Sequence, residues 1–475
     1  MDRKWRTLII VCVAIFMLLL DITIVNVALP RIQRDLHTSF TDLQWVVDAY
    51  SLTLATVMLT AGSLGDLLGR KRVFLSGVAL FTIASALCGS ATTPLFLNLA
   101  RGAQGIGGAI MFAVSLALLS QEFHGRERGT AFGIWGATIG AAVAIGPLAG
   151  GVLTEGLGWR WIFFVNIPIG IALVFFGMRV LVESRDETHG GIDYRGLVTL
   201  SIGLFALVLA LLRGNDWGWS SGRVVGLFAT ALVFVVAFTF IELRQEHPMF
   251  DPRLFGVPAF AGAQVTAFAI SSAMFAQFLF LTLYLQNVLG LSPIQTGIRF
   301  LPLSVVSFFA APLSGRLSST IPIRMLLGVG LALNGVALLL MHGVTTSSHW
   351  TTLLAGFIVA GIGIGMVNPP LATTAVSVVP PRQAGMAAGA NNTFRQVGIA
   401  TGIAGLGALF QHSIATRVPA NVVHATASGL GDHGAFIHGL NEIFLVGAWV
   451  AFAGAVLAFA LVRRRDFVAS APATT

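Results

Sequence analysis

The chain has 475 residues, of which 56% are hydrophobic and 10% charged. Its mean hydropathy is +0.85, and so few charges cannot cover the surface of soluble domains of that size, so the apolar excess must face lipid. A net charge of +8 would suit nucleic acid, but the basic residues recur in short clusters between apolar runs, which is the pattern of membrane topology.

A helix needs about 20 apolar residues to cross the hydrocarbon core. Such runs lie at 7–29, 43–64, 72–90, 95–119, 129–153, 161–181, 194–212, 223–242, 259–285, 294–314, 323–341, 350–379, 385–411 and 436–462. Fourteen helices and no soluble domain are therefore expected. The first run follows a basic start and reads as a retained helix rather than a cleaved signal peptide. Arg and Lys concentrate in alternate connections, among them Arg3, Lys4 and Arg6, Arg70 to Arg72, Arg126 and Arg128, and Arg463 to Arg465. The positive-inside rule then puts both termini in the cytoplasm, which an even helix count satisfies. Segment 243–258 reads as lying along the inner membrane surface, and 469–475 as a disordered tail.

A weak repeat relates residues 62–75 to 314–327. If it is real, the chain divides into a six-helix bundle at 1–190, two additional helices at 191–245, and a second six-helix bundle at 246–475. Repeated helical halves around a midplane site are the plan of secondary transporters.

Ionisable groups within membrane helices cost about 2.5–3.5 kcal/mol on insertion scales and usually face a cavity. Asp21 precedes Pro30 by nine residues, or about 13 Å of helix. Asp48 and Arg101 fall at similar depth in the second and fourth helices, so the three form a candidate proton-coupling cluster. The competing readings are a static Asp21–Arg101 pair and an Asp48 that faces outer water. In the segment GSLGDLLGRKR (residues 62–72), Gly69 permits a tight turn and Asp66 can cap a helix N-terminus. Arg70 can pair with Glu122 or Glu127 on a neighbouring loop, forming a latch with Gly62 at the inner end.

Residues 62–72 resemble the signature loop of the major facilitator superfamily, with Leu67 where the family often carries a basic residue. Residues 97–105 (LNLARGAQG) resemble the family's fourth-helix motif. Gly140 to Ile145 followed by Gly146, Pro147, Gly150 and Gly151 resemble the fifth-helix motif of its exporters. Residues 20–30 (LDITIVNVALP) and 159–168 (WRWIFFVNIP) are similar to motifs of its fourteen-helix drug:proton antiporters. The resemblance implies an all-α polytopic membrane protein, a fifth helix packed between the halves, and export of amphipathic, often cationic drugs or antibiotics in exchange for protons. It also implies a bacterial cytoplasmic membrane and a monomer. A dedicated exporter of one natural product, and more remotely a nutrient facilitator or symporter, are the alternatives.

Asn26, Gln104, Gln264, Met274, Gln277, Phe278, Tyr284, Asn391, Asn392 and Arg395 are the candidate cavity residues. Phe and Met can form a deformable apolar pocket. Arg395 has Glu442 as its one acidic candidate partner within the second half. The two lysines, Lys4 and Lys71, are followed by Trp5 and Arg72, so the Lys-Ser/Thr of a P-loop is missing. No ATP site, metal, cofactor or nucleic-acid partner is expected, and transport must be gradient-driven.

Overall fold

The computed structural model describes residues 2–37, 40–185, 193–245, 248–275, 277–318, 320–380, 383–463 and 466. All regular structure among them is helical. The long elements are α1 (Arg3–Asp35), α2 (Phe40–Leu68), α3 (Arg70–Gly89), α4 (Pro94–Glu122) and α5 (Gly125–Gly156). They continue with α6 (Trp161–Val180), α7 (Tyr194–Trp217), α8 (Gly222–Glu242), α9 (Pro258–Val288) and α10 (Pro293–Leu317). The last four are α11 (Ile323–Met341), α12 (Leu354–Ser377), α13 (Ala384–Ala415) and α14 (His433–Leu461). Thirteen of these are apolar and long enough to span a membrane; α5, with 32 residues, packs along α1 and α10 as a further span. Each expected run coincides with one of them. The tail at 469–475 lies outside the described residues.

Segment 243–258 contains a short 3-10 helix at Pro252–Gly256. The connection after α13 carries the short helix Val423–Ala427.

One apolar core is built from residues 263–462. A second is built from residues 8–181, joined by Ala372, Val376, Ala384 and Ala388. The two meet along two seams, α2 on α13 and α5 on α10. Helix α7 packs on α8 and touches both α2 and α13. The outer side of α8 presents Leu232, Val233 and Val236, an apolar face of the kind that lipid covers.

Proline within membrane helices is tolerated where neighbours re-satisfy the backbone. Helix α12 contains Pro369 and Pro370. Pro370 cannot donate to the Met366 carbonyl one turn earlier, and Ser314 Oγ of α10 donates to that carbonyl instead, at 2.8 Å. Helix α9 turns π-helical at Ser271–Phe275 and Tyr284–Val288, a local widening often found at functional positions.

Below, the terminal face is the one bearing the start of α1 and the end of α14; the other is the opposite face.

Candidate functional site

Asp21 and Arg101 are each 1% exposed, and Arg101 Nη1 donates to Asp21 Oδ2 at 2.5 Å. The pair sits in a shell contributed by five helices. Gln104, one turn along α4 from Arg101, accepts from its Nη1 (2.8 Å) and donates to Asp21 Oδ1 (2.9 Å). Asn166 of α6 donates from Nδ2 to Asp21 Oδ1 at 3.2 Å and to Ser85 Oγ of α3 at 3.0 Å. Arg101 Nε donates to the Val46 carbonyl of α2 at 2.9 Å, and its guanidinium lies 4.2 Å from the Tyr50 ring centre. A buried pair is held only where hydrogen bonds replace the lost water, and here both carboxylate oxygens are occupied. Gln104 therefore belongs to the charge network. Asn166, Ser85 and Tyr50 were missed as site residues. Asn166 stood inside a quoted motif, whereas Ser85 and Tyr50 carry no sequence signal.

Asp48 does not join this cluster. Its Oδ2 lies 2.9 Å from Arg213 Nη2 of α7. Arg213, 1% exposed, also reaches Asp216 at 3.3 Å and lies over the Trp45 ring at 4.6 Å. The apolar run at 194–212 stops just short of Arg213, and the structure turns this residue inward because Asp48 and Trp45 offer charge and ring face together. Two residues on, Asn215 Nδ2 donates to the Ala404 carbonyl of α13 at 3.3 Å. The opposite-face end of α7 thus bridges α2 and α13.

At the terminal face, Asp66 Oδ1 accepts from Arg70 Nε and Nη2 at 2.9 and 2.8 Å. The same carboxylate accepts the backbone N–H groups of Gly385 (3.1 Å) and Met386 (2.8 Å) in the first turn of α13. Orphan N–H groups and the positive helix end favour an anion there. The helix-capping expectation for Asp66 holds, and the helix belongs to the other core. The expected pairing of Arg70 with Glu122 or Glu127 does not occur. Glu122 takes Arg3 (3.3 Å) and Glu127 takes Lys4 (2.8 Å), because α1 begins beside the α4–α5 turn. Gly69 has φ +111°, and a Cβ there would lie 2.6 Å from Glu183 Oε1. That carboxylate accepts from the Lys71 and Arg72 N–H groups and so caps α3.

The seams close tightly at this face. A Cβ on Gly62 would lie 2.2 Å from the Gly385 carbonyl oxygen. On Gly129 it would lie 2.1 Å from the Gly315 oxygen. Farther along α5, Gly140 faces Ser307 and Gly151 faces Ile294, both of α10. Gly146 instead faces Thr23 of α1, and Gly150 is buried. The side chains of Pro147 and Asn26 lie outside the described residues.

The remaining cavity candidates divide. Asn391 donates to Gln264 Oε1 and to the Ala263 carbonyl, both at 3.3 Å. Arg395 Nη1 donates to Asn368 Oδ1 of α12 at 3.0 Å, not to Glu442, which faces His438 at 3.5 Å. Asn392 is 1% exposed and neither side-chain polar atom has a partner among the described residues. Gln277 donates to the Ile443 carbonyl at 2.8 Å. Met274 and Tyr284 lie within the core built from residues 263–462, and Phe278 packs against it. Asn368, Gly129, Gly315 and Gly385 were not singled out by sequence.

A fourteen-span helical chain with a buried acid–guanidinium pair and a helix-capping loop joining its two cores is a secondary-transporter architecture. The model of the Major Facilitator Superfamily matches residues 11–403, and the chain belongs to that family of multi-pass membrane transporters. It is 36% identical to the tetracenomycin C resistance and export protein of Streptomyces glaucescens, across 90% of this chain and 80% of that protein. It is equally 36% identical to the multidrug resistance protein Stp of Mycobacterium tuberculosis, with the same coverage of each chain. The crystal structure of the human organic anion transporter MFSD10 matches with a TM-score of 0.69 at 14% identity, covering 96% of this chain and all of that one.

Proposed function

We propose that this protein exports amphipathic, often cationic drugs or antibiotics from the cytoplasm in exchange for protons, by alternating access. It works as a monomer in a bacterial cytoplasmic membrane, with both termini and the terminal face on the cytoplasmic side. Residues 1–190 and 246–475 are the two rocking halves, and 191–245 forms the hairpin between them. The observation that carries the reading is the 1%-exposed Asp21–Arg101 pair. A buried acid whose one cationic partner sits on a different helix trades that partner for a proton when the helices separate. The names of the relatives support drug and antibiotic export, for one compound in the Streptomyces protein and several in the mycobacterial one.

One proton moved through 100 mV supplies about 2.3 kcal/mol, enough for roughly a 50-fold gradient of an uncharged drug; exchange of one proton for a monocation moves no net charge and is driven by the pH difference alone. Asp66, Arg70, Gly62 and Gly69 hold the cytoplasmic side shut in the state described. The glycines of α5 let the halves roll on α10. Asn391, Asn392, Arg395 and Gln264 supply polar contacts on the second half for the drug.

The test is drug-dependent proton release from sealed vesicles. Asp21→Asn should insert and fold normally, because Gln104 and Asn166 still bond its side chain, yet release no protons on drug addition. Full release by this variant overturns the assignment of Asp21, and a drug-independent sugar or amino-acid uptake overturns the exporter reading.

A further inference from the structure

The α7–α8 hairpin carries two acidic side chains on the terminal face that the transport cycle above does not use. Asp193 caps α7, its Oδ1 accepting from the Gly196 N–H at 2.9 Å and from Gln245 Nε2 at 2.8 Å. Glu242 ends α8 and is 2% exposed; its Oε2 accepts from the Phe250 N–H at 3.4 Å. The other oxygens, Asp193 Oδ2 and Glu242 Oε1, are buried and have no donor among the described residues. They converge over Gly196, where a Cβ would lie 2.3 Å from Asp193 Oδ2 and 2.4 Å from Glu242 Oε1.

Among the described residues the surroundings supply no compensating charge. On α7, Tyr194 and Arg195 are exposed. On α8, Arg244 is exposed and lies over the Phe240 ring at 3.7 Å. In the following segment Arg253 is exposed, and Asp251 is turned to the Arg253 N–H. On α2, Asp66 is taken by Arg70 and the start of α13. Among the described residues no Lys or Arg forms an ion pair with Asp193 or Glu242. Two ionised carboxylates so placed would bury like charges facing each other, the arrangement in which one proton is shared. A single proton satisfies both orphan oxygens at once, as donor on one and bond to the other.

We propose that Asp193 and Glu242 form a proton-binding site, filled by one proton from the terminal-face solution while that face is shut. The site connects to the seam. Ser63 of α2 donates to the Met249 carbonyl at 3.0 Å, next to the Phe250 N–H that Glu242 holds. Phe250 shares an apolar cluster with Leu59 of α2 and with Met386 and Ala387 of α13. Loss of the proton drives the two carboxylates apart, pulls the Met249–Phe250 backbone with Glu242 and loosens the latch at Asp66. The hairpin then senses the pH on the terminal side.

Infrared spectroscopy of the full-length protein in lipid nanodiscs tests the site directly. At neutral pH the wild type should show a protonated-carboxyl C=O band that is missing from both Glu242→Gln and Asp193→Asn and that fades as pH rises. Spectra that do not differ among the three proteins overturn the proposal. So does a thermal stability that rises with sodium or calcium in the wild type but not in Glu242→Gln, since the occupant is then a metal cation. Glu242→Gln keeps a donor toward Asp193 and mimics the protonated form, so it should fold. In a background lacking Cys12 and Cys88, a single cysteine on the terminal face is labelled and its rate divided at each pH by that of free cysteine, because the thiolate is the reactive form; this ratio should rise several-fold at high pH in the wild type and stay constant in Glu242→Gln. Equal pH responses overturn the link to the latch. Neither readout needs a drug or Asp21, so a failure of the exporter reading leaves them intact.

Discussion

Asp21 is held by three side chains from two helices, and their loss has separable effects. Arg101→Ala removes the charge and leaves Gln104 and Asn166 on the same carboxylate. If the pair is only structural, breaking it costs about 3–5 kcal/mol, and the melting temperature in detergent falls steeply. If it is the coupling switch, the carboxylate holds its proton more tightly and the pH optimum of transport moves upward. The second outcome, a moderate loss of stability with an upward shift of the pH–transport profile, is expected here because Asp21 keeps two neutral donors. A quieter pH response lies at the last residue of α1, past its membrane-spanning part Arg3–Val25. There Asp35 accepts from Trp159 Nε1 at 2.8 Å and from Arg160 at 3.1 Å, and the Trp159 bond, aided by Arg160, holds its carboxyl below the ordinary range. A lowered folded-state value means that this contact stabilises above the ordinary carboxylate range and is lost as pH falls through the folded value. Acidification on that side should change Trp159 emission in the wild type and not in Asp35→Asn.

At the scale of elements, α7 matters more than its place between the halves suggested. Arg213 ties it to α2 and Asn215 ties it to α13. Arg213→Ala leaves Asp48 facing a largely buried gap. Asp48 keeps some contact with solvent, its side chain being 18% exposed, so the loss should be about 3 kcal/mol, the lower end for a broken buried pair. Asp48→Asn combined with Arg213→Met should recover most of it, and thermal unfolding of the two singles and the double measures the coupling. Singles that simply add would show that α7 is only packed there. The helices were legible in the sequence because each apolar run is long and is bounded by charge or proline. The pairing of Asp48 was not. Arg213 lies four residues before Trp217, close enough to the end of an apolar run to read as a loop cation, and only the packing of α7 against α2 turns it inward.

For the whole molecule, closure of the terminal face rests on two seams of glycine against carbonyl. Gly129→Val or Gly62→Val would push a side chain onto a backbone oxygen that now lies at 2.1 or 2.2 Å from the Cβ position. Both residues lie where the two cores meet, so each core should fold and the face should stay open. Single-cysteine labelling on that face should rise and export should stop; unchanged labelling would mean that the seam can re-register. Asp66→Asn should act in the same direction more weakly, since the amide oxygen still accepts one N–H of α13 while the charge on its positive end is lost. The motif at 62–72 announced this loop from sequence alone, as Gly69 and Asp66 are the residue types such a turn and cap require. Gly129, Gly315 and Gly385 could not be recognised, because a glycine pressed on a carbonyl from a distant helix looks in sequence like any other membrane-helix glycine.

The same seams dictate which variants a population under antibiotic selection can reach. Gly129, Gly315, Gly62 and Gly385 admit no side chain without prising the face apart, so every codon change that enlarges them is closed to adaptation. The polar positions on α12 and α13, where Asn392 has no partner among the described residues, carry no such penalty. New resistance spectra should therefore arise by exchanges at Asn391, Asn392 and Asn368, and deep sequencing of a selected library should show those sites diversifying around four silent glycines.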